Sequence, residues 1–173
     1  MKHISQLALA TMAFALALGC SGDDDNQDTQ KGNIEVIDVN SSGCQATYEK
    51  TAQLGNDKVL RMNSLMIKLN NKGDGMVMLS NLMLNCAAES IENVLMNCQD
   101  GILSIVVVPA KDDVSANCIC PYDCSFKAKN LKTGHYRLKI YIADGKGKTF
   151  NPDYPIYEGE ITLTPNQEAS LTW

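Results

Sequence analysis

Beyond residue 33 the chain repeatedly alternates apolar and polar residues with a period of two, and no helical period of apolar residues is sustained. Leu65, Ile67 and Leu69 alternate with Met66, Lys68 and Asn70, while Tyr136, Leu138, Ile140 and Ile142 alternate with Arg137, Lys139 and Tyr141. Such alternation puts one face of a strand in a core and the other in water. Turn-forming residues separate the runs: Asn71-Lys72-Gly73-Asp74-Gly75, Gln99-Asp100-Gly101 and Thr164-Pro165-Asn166-Gln167. About eight short strands spaced in this way predict an all-β chain built as an antiparallel β-sandwich.

Particular segments sharpen that expectation. Ile34, Val36, Ile37 and Val39 form a β-branched run whose phase changes at Val36 and Ile37, which predicts a bend or bulge. The alternation around Ile67 leads through a Gly-rich turn into a second strand, making a hairpin. On that strand Met76, Met78, Leu82, Leu84 and Cys86 are assigned to one face, with the methionines read as core filler and not as copper ligands. Ile102 to Val108 is a continuous apolar run ended by Pro109, expected of a strand covered on both faces or crossing the centre of the sandwich, and residues 91–97 make a weaker strand before it. Gly159 to Leu163, then Ala169, Leu171 and Trp173, close the chain as two more strands.

The beginning of the chain reads differently. Lys2 and His3 precede an apolar stretch over residues 4–18 that only Ser5, Gln6 and Thr11 interrupt. It is shorter than the roughly 20 residues that a membrane-spanning helix needs. The stretch ends in Leu-Gly-Cys at positions 18–20 and turns acidic at Asp23, Asp24 and Asp25. This resembles the signal peptide of bacterial lipoproteins, although Ala17 stands where Leu is usual; a plain secretory signal cut near Gly19 is the competing reading. The resemblance implies that residues 1–19 are removed, that Cys20 carries a lipid, and that residues 20–32 form a flexible acidic tether. A single β-sandwich domain over residues 33–173 follows. The three aspartates resemble the acidic export signal of surface lipoproteins in Bacteroidetes, which implies an outer-membrane anchor and display at the cell surface, with the periplasmic face as the alternative.

Six cysteines lie beyond Cys20: Cys44, Cys86, Cys98, Cys118, Cys120 and Cys124. An even number in an exported chain predicts three disulfides. Regular alternation places Cys118, Cys120, Tyr122, Cys124 and Phe126 on one face, and a ring between Cys118 and Cys120 would be strained, so both are expected to reach earlier strands. The expected pairs are Cys98 with Cys124, and Cys44 and Cys86 with Cys118 and Cys120 in either order. A zinc site is disfavoured because structural zinc usually shows two pairs at about Cys-x2-4-Cys spacing, and neither a second cluster nor a flanking histidine is present. No cofactor is expected. Pro121 removes a ladder donor and points to an edge or a bulge, while Asp123 suits a turn in which it accepts backbone N–H bonds.

Charge and composition narrow the function. The 15 basic residues against 20 acidic ones lack the clustered basic face that nucleic acid requires. His135 is the sole histidine beyond the leader, which removes most histidine-based metal and nucleophile chemistry. Leu131-Lys132-Thr133-Gly134-His135-Tyr136 resembles the tyrosine corner of immunoglobulin-like folds, implying that the Tyr136 phenol bonds backbone a few residues upstream. With Cys118-Ile119-Cys120-Pro121-Tyr122-Asp123 it also resembles a recurrent signature of small Bacteroidetes lipoproteins, over roughly residues 76–173, which implies no particular activity. Candidate contact residues for a protein or glycan partner are Tyr154 and Tyr157, in a proline-stiffened loop, and Lys146 and Lys148, in a Gly-Lys loop without the spacing of a phosphate loop. No catalytic residue is assigned. The expectation is a non-enzymatic, surface-anchored binding or structural module, with a small hydrolase or a hydrolase inhibitor as the alternative.

Overall fold

The computed structural model of the chain describes residues 34–45, 62–110, 117–144 and 149–173. Among these residues there is no helix, and none long and apolar enough to cross a membrane. The strands are β1 (Glu35–Ser41), β2 (Ser64–Leu69), β3 (Gly75–Asn85), β4 (Ile91–Gln99), β5 (Ile102–Pro109), β6 (Ile119–Lys129), β7 (Gly134–Ile142), β8 (Tyr157–Leu163) and β9 (Glu168–Thr172). They form a first sheet in the order β1-β6-β3-β2-β9 and a second in the order β4-β5-β7-β8. The architecture is the expected all-β sandwich. The expected leader, Cys20, the expected tether, Lys146 and Lys148 lie outside the described residues.

One cluster of buried side chains joins the inner faces of the two sheets, drawing Leu65, Ile67, Val77, Leu79 and Phe126 from the first and Leu103, Ile105, Leu138 and Ile140 from the second. Each comes from an alternating run, so the period-two pattern is the direct cause of the core. β5 is covered on both sides, as its unbroken apolar run demands. Leu103, Ile105 and Val107 enter the main core, while Val106 and Val108 meet Tyr141 and Ala143 on the outer side. The segment after β7 folds back over that patch: Phe150 packs on Tyr141 with ring centroids 4.7 Å apart, and the Tyr141 hydroxyl donates to the Pro152 carbonyl at 3.3 Å.

Turn chemistry sets the hairpin between β4 and β5. Asp100 and Gly101 both take positive φ, 52° and 77°, the backbone of a two-residue turn whose twist matches the flanking strands. β5 and β7, by contrast, pair in parallel, a departure from a wholly antiparallel sandwich. The reason is topological. Parallel neighbours need a long crossover, and β6 supplies it by leaving for the first sheet between them. The tyrosine corner is present as well: the Tyr136 hydroxyl donates to the Lys132 carbonyl at 2.8 Å, and burial pushes its phenol pKa up.

Two strands carry bulges. In β1 the pairing with β6 slips between Ile37 and Asn40, with Asp38 at φ 55°, where the phase of the apolar run changes. In β3 the pairing slips between Leu79 and Leu82, with Asn81 at φ 58°. This second bulge corrects the assignment of faces: Val77, Leu79, Leu82 and Leu84 point inward, whereas Met76, Met78 and Met83 are 45%, 41% and 44% exposed. An extra residue shifts the phase by one, so Met76 and Met78 do not share a face with Leu82 and Leu84. The methionines of β3 are surface residues and not core filler; among the described residues Met96 on β4 is the buried methionine.

Candidate functional site

Four cysteines meet at one corner of the sandwich. Cys44 follows β1, Cys86 follows β3, Cys118 directly precedes β6, and Cys120 is the second residue of β6. The β3–β6 ladder pairs Leu84 with Cys120 and Asn85 with Ile119, and one step further the Cys86 N–H donates to the Cys118 carbonyl at 3.1 Å. The loop carrying Cys44 is tied to the same strand by Ser42 N–H on the Asp123 carbonyl, 2.9 Å, and Gln45 N–H on the Pro121 carbonyl, 3.1 Å. Disulfides follow: Cys44–Cys120 and Cys86–Cys118, with Cα atoms 5.7 and 5.6 Å apart, inside the range such bonds allow. The sulfurs of Cys44, Cys86 and Cys120 all lie within 4.8 Å of one another.

The expected Cys98–Cys124 bond is not formed. Cys98 lies on β4, the edge strand of the second sheet, whereas Cys124 lies on β6, inside the first, opposite Ser41 and Leu79. Cys124 is a buried free thiol, so the expectation of full oxidation is overturned. Burial pushes its thiol up from 9.0 to about 11. The unfolded chain would therefore release this proton first, and stability contributed by the neutral thiol is lost as pH rises from about 9 towards about 11. We expect iodoacetamide at neutral pH to leave Cys124 unmodified in the folded chain and to alkylate it on unfolding; rapid native alkylation would contradict its burial.

Asp123 organises the strand between the cysteine corner and the β3 bulge. Its Oδ1 accepts the Asn81 N–H at 3.0 Å, its Oδ2 accepts from Gln45 Nε2 at 2.7 Å, and its own N–H donates to Ser42 Oγ at 2.8 Å. The carboxylate stabilises the positive-φ residue of the bulge, much as expected for a backbone-bonding aspartate, though across three segments and not within one turn. Pro121 sits in a strand that is interior to its sheet, yet it lies beside the β3–β6 bulge and beyond the paired part of β1, in line with the edge or bulge expected for it. Its carbonyl faces Gln45, so its ring nitrogen faces the same side, where the paired part of β1 has already ended at Ser41 and Cys124. Tyr122, fully buried, donates its hydroxyl to the Ala88 carbonyl and so fastens the turn that carries Cys86.

The two outer faces of the sandwich differ in chemistry. That of the second sheet carries ion pairs: Glu158 meets Arg137 and, at 3.6 Å, Lys139, which together hold its carboxyl below the usual carboxylate range. His135 is exposed there, with Nδ1 3.0 Å from Thr162 Oγ1 and Nε2 3.6 Å from Glu160. The outer face of the first sheet is apolar at its centre. Met66 pairs with Met78 across β2 and β3, Met83 pairs with Pro121, and Met62 and Ile119, 57% and 67% exposed, extend the patch. No signal of period alone reveals this face; the Ser80-Asn81 bulge and its Asp123 partner decide it. At its β1 side lies a hollow of about 350 Å³ lined by Asp38, Asn40, Met76, Ser125, Phe126 and Lys127. There Lys127 pairs with Asp38 at 2.7 Å and lowers the Asp38 pKa.

Of the expected contact tyrosines, Tyr154 is 76% exposed at the tip of its loop, but Tyr157 packs inward. The Tyr157 ring stacks on Trp173, with centroids 4.7 Å apart, and lies over Gly159, where a Cβ would collide with it. It is a packing residue joining β8 to the end of the chain, where the Trp173 N–H donates to the Asn63 carbonyl at 3.0 Å. Comparisons with known protein families, with curated proteins and with solved structures find no match to this chain.

Proposed function

We propose that the chain is a lipid-anchored, non-enzymatic binding module of a bacterial outer membrane, displayed at the cell surface, and that it docks a protein partner through the outer face of the first sheet. The observation that carries this reading is the row of solvent-facing Met62, Met76, Met78 and Met83 with Ile119. Contiguous exposed apolar side chains on one face mark interaction surfaces, and flexible thioethers adapt to a protein surface. A glycan would favour flat exposed rings, and the large hydrophobic residues exposed on this face are methionine and isoleucine. The lipid anchor on Cys20 is supported by the leader and by the acidic run after it. The non-enzymatic reading is supported by His135, which faces solvent beside Thr162 and Glu160, and by Asp123, which is occupied by backbone and amide donors.

The test places a photo-cross-linking residue at position 78, 83 or 160 of the chain in intact cells. Positions 78 and 83 are expected to yield the same discrete adduct and position 160, on the opposite sheet, none. Cys20→Ala should leave the membrane fraction and lose the adduct. The absence of any adduct, or an equal one from position 160, would count against the docking face; retention of Cys20→Ala in membranes would count against the anchor.

A further inference from the structure

We propose that Cys44, Cys86, Cys118 and Cys120 form, in their thiolate state, a tetrahedral site for one zinc-class divalent cation, so that this corner is closed either by two disulfides or by one metal ion. The geometry is already convergent: three of the sulfurs lie within 4.8 Å of one another, and the fourth, of Cys118, is bonded to that of Cys86. Four thiolates at about 2.3 Å from a zinc ion stand about 3.8 Å apart, so once its S–S bond is broken each pair of sulfurs has to open by about 1.7 Å, a change that side-chain rotation supplies. Four sulfur donors in this arrangement suit a borderline-soft ion of tetrahedral preference.

The backbone holds the ligands in place independently of the S–S bonds. Cys86 and Cys118 are joined by a main-chain hydrogen bond, Cys120 is paired to Leu84 within the β3–β6 ladder, and Cys44 is flanked by the Ser42 and Gln45 bonds to β6. Tyr122 secures the turn after Cys86. The site is also reachable, since Cys118 is exposed and Cys44 and Cys86 are half-buried, while Cys120 anchors it from the core side. Conversion balances as follows. Each disulfide accepts two electrons from an external phosphine and two protons from water, whose oxygen ends on phosphorus as the phosphine oxide; the four thiols then release their protons to solvent as the cation binds.

The test uses the full-length chain in detergent, reduced anaerobically with a water-soluble phosphine and titrated with Co²⁺ as the probe. One equivalent should produce thiolate-to-cobalt charge transfer with the intense visible bands of a tetrahedral ion, and Zn²⁺ should displace it. Cys118→Ser and Cys120→Ser should each lose the four-thiolate spectrum, while Cys98→Ser and Cys124→Ser keep it. Circular dichroism on the same samples follows strand content; a reduced chain that has lost it and regains it with the metal also supports the site. Absence of the cobalt spectrum in the reduced wild-type chain, whether strand content is kept or not, overturns the proposal. So does a spectrum that survives both Cys118→Ser and Cys120→Ser, or one that is lost in Cys98→Ser or Cys124→Ser.

Discussion

Replacing Cys44 and Cys120 together by alanine, in metal-free buffer, is expected to lower the melting temperature by about 10–20 °C, and replacing Cys86 and Cys118 by somewhat less. The bonds close sequence separations of 76 and 32 residues, for which loop-closure entropy assigns about 4 kcal/mol to each. One loop is nested inside the other, so each bond partly duplicates the constraint of its neighbour. Removing both should therefore cost about 0.5 kcal/mol more than the two single losses added. Together they are comparable with the whole stability of a domain of this size, about 5–15 kcal/mol. Thermal scans of the two double variants and the quadruple variant provide the check. A melting temperature unmoved by either double replacement would show that the ladder of β3 and β6 holds this corner without its cross-links.

Phe126→Ala is expected to cost about 3–5 kcal/mol, because it removes a ring that is 1% exposed at the centre of the sandwich and leaves a cavity its neighbours cannot fill. The adjacent rung supplies the control. Phe126 pairs with Val77 facing the core, whereas the next pair, Ser125 with Met78, faces outward. Met78→Ala should stay within about 0.5 kcal/mol of the wild type. Urea unfolding of both variants measures the contrast directly. Equal losses would mean that the methionine face is covered in the folded chain and would remove the support for its role in docking.

Much of the secondary structure was legible because its causes are local. Asp100-Gly101 reads as a hairpin turn from two residues, since positive φ at adjacent positions suits few others. The double-sided burial of β5 reads from an apolar run without polar interruption. Tyr136 reads from the turn before it, because its hydrogen-bond acceptor, Lys132, lies four residues away. The methionine face was not legible. Its phase depends on an extra residue at Ser80 and Asn81, and the carboxylate that stabilises it, Asp123, is 42 residues distant in sequence.

The amino-acid pattern by itself determined the class of fold, the position of most strands and the residues available for cross-linking, because alternation, β-branching and turn preference act over a few neighbouring residues. Only the tertiary structure decided which strands are neighbours, and therefore which sulfurs meet. Cys118 and Cys120 separate to different partners because the loop after β1 and the end of β3 arrive at β6 together. Cys124, four residues along the same strand, is left as a free thiol in the core. Sequence spacing cannot distinguish those outcomes: a disulfide forms where two Cα atoms come within about 7 Å, and here that distance is set by long-range pairing of strands.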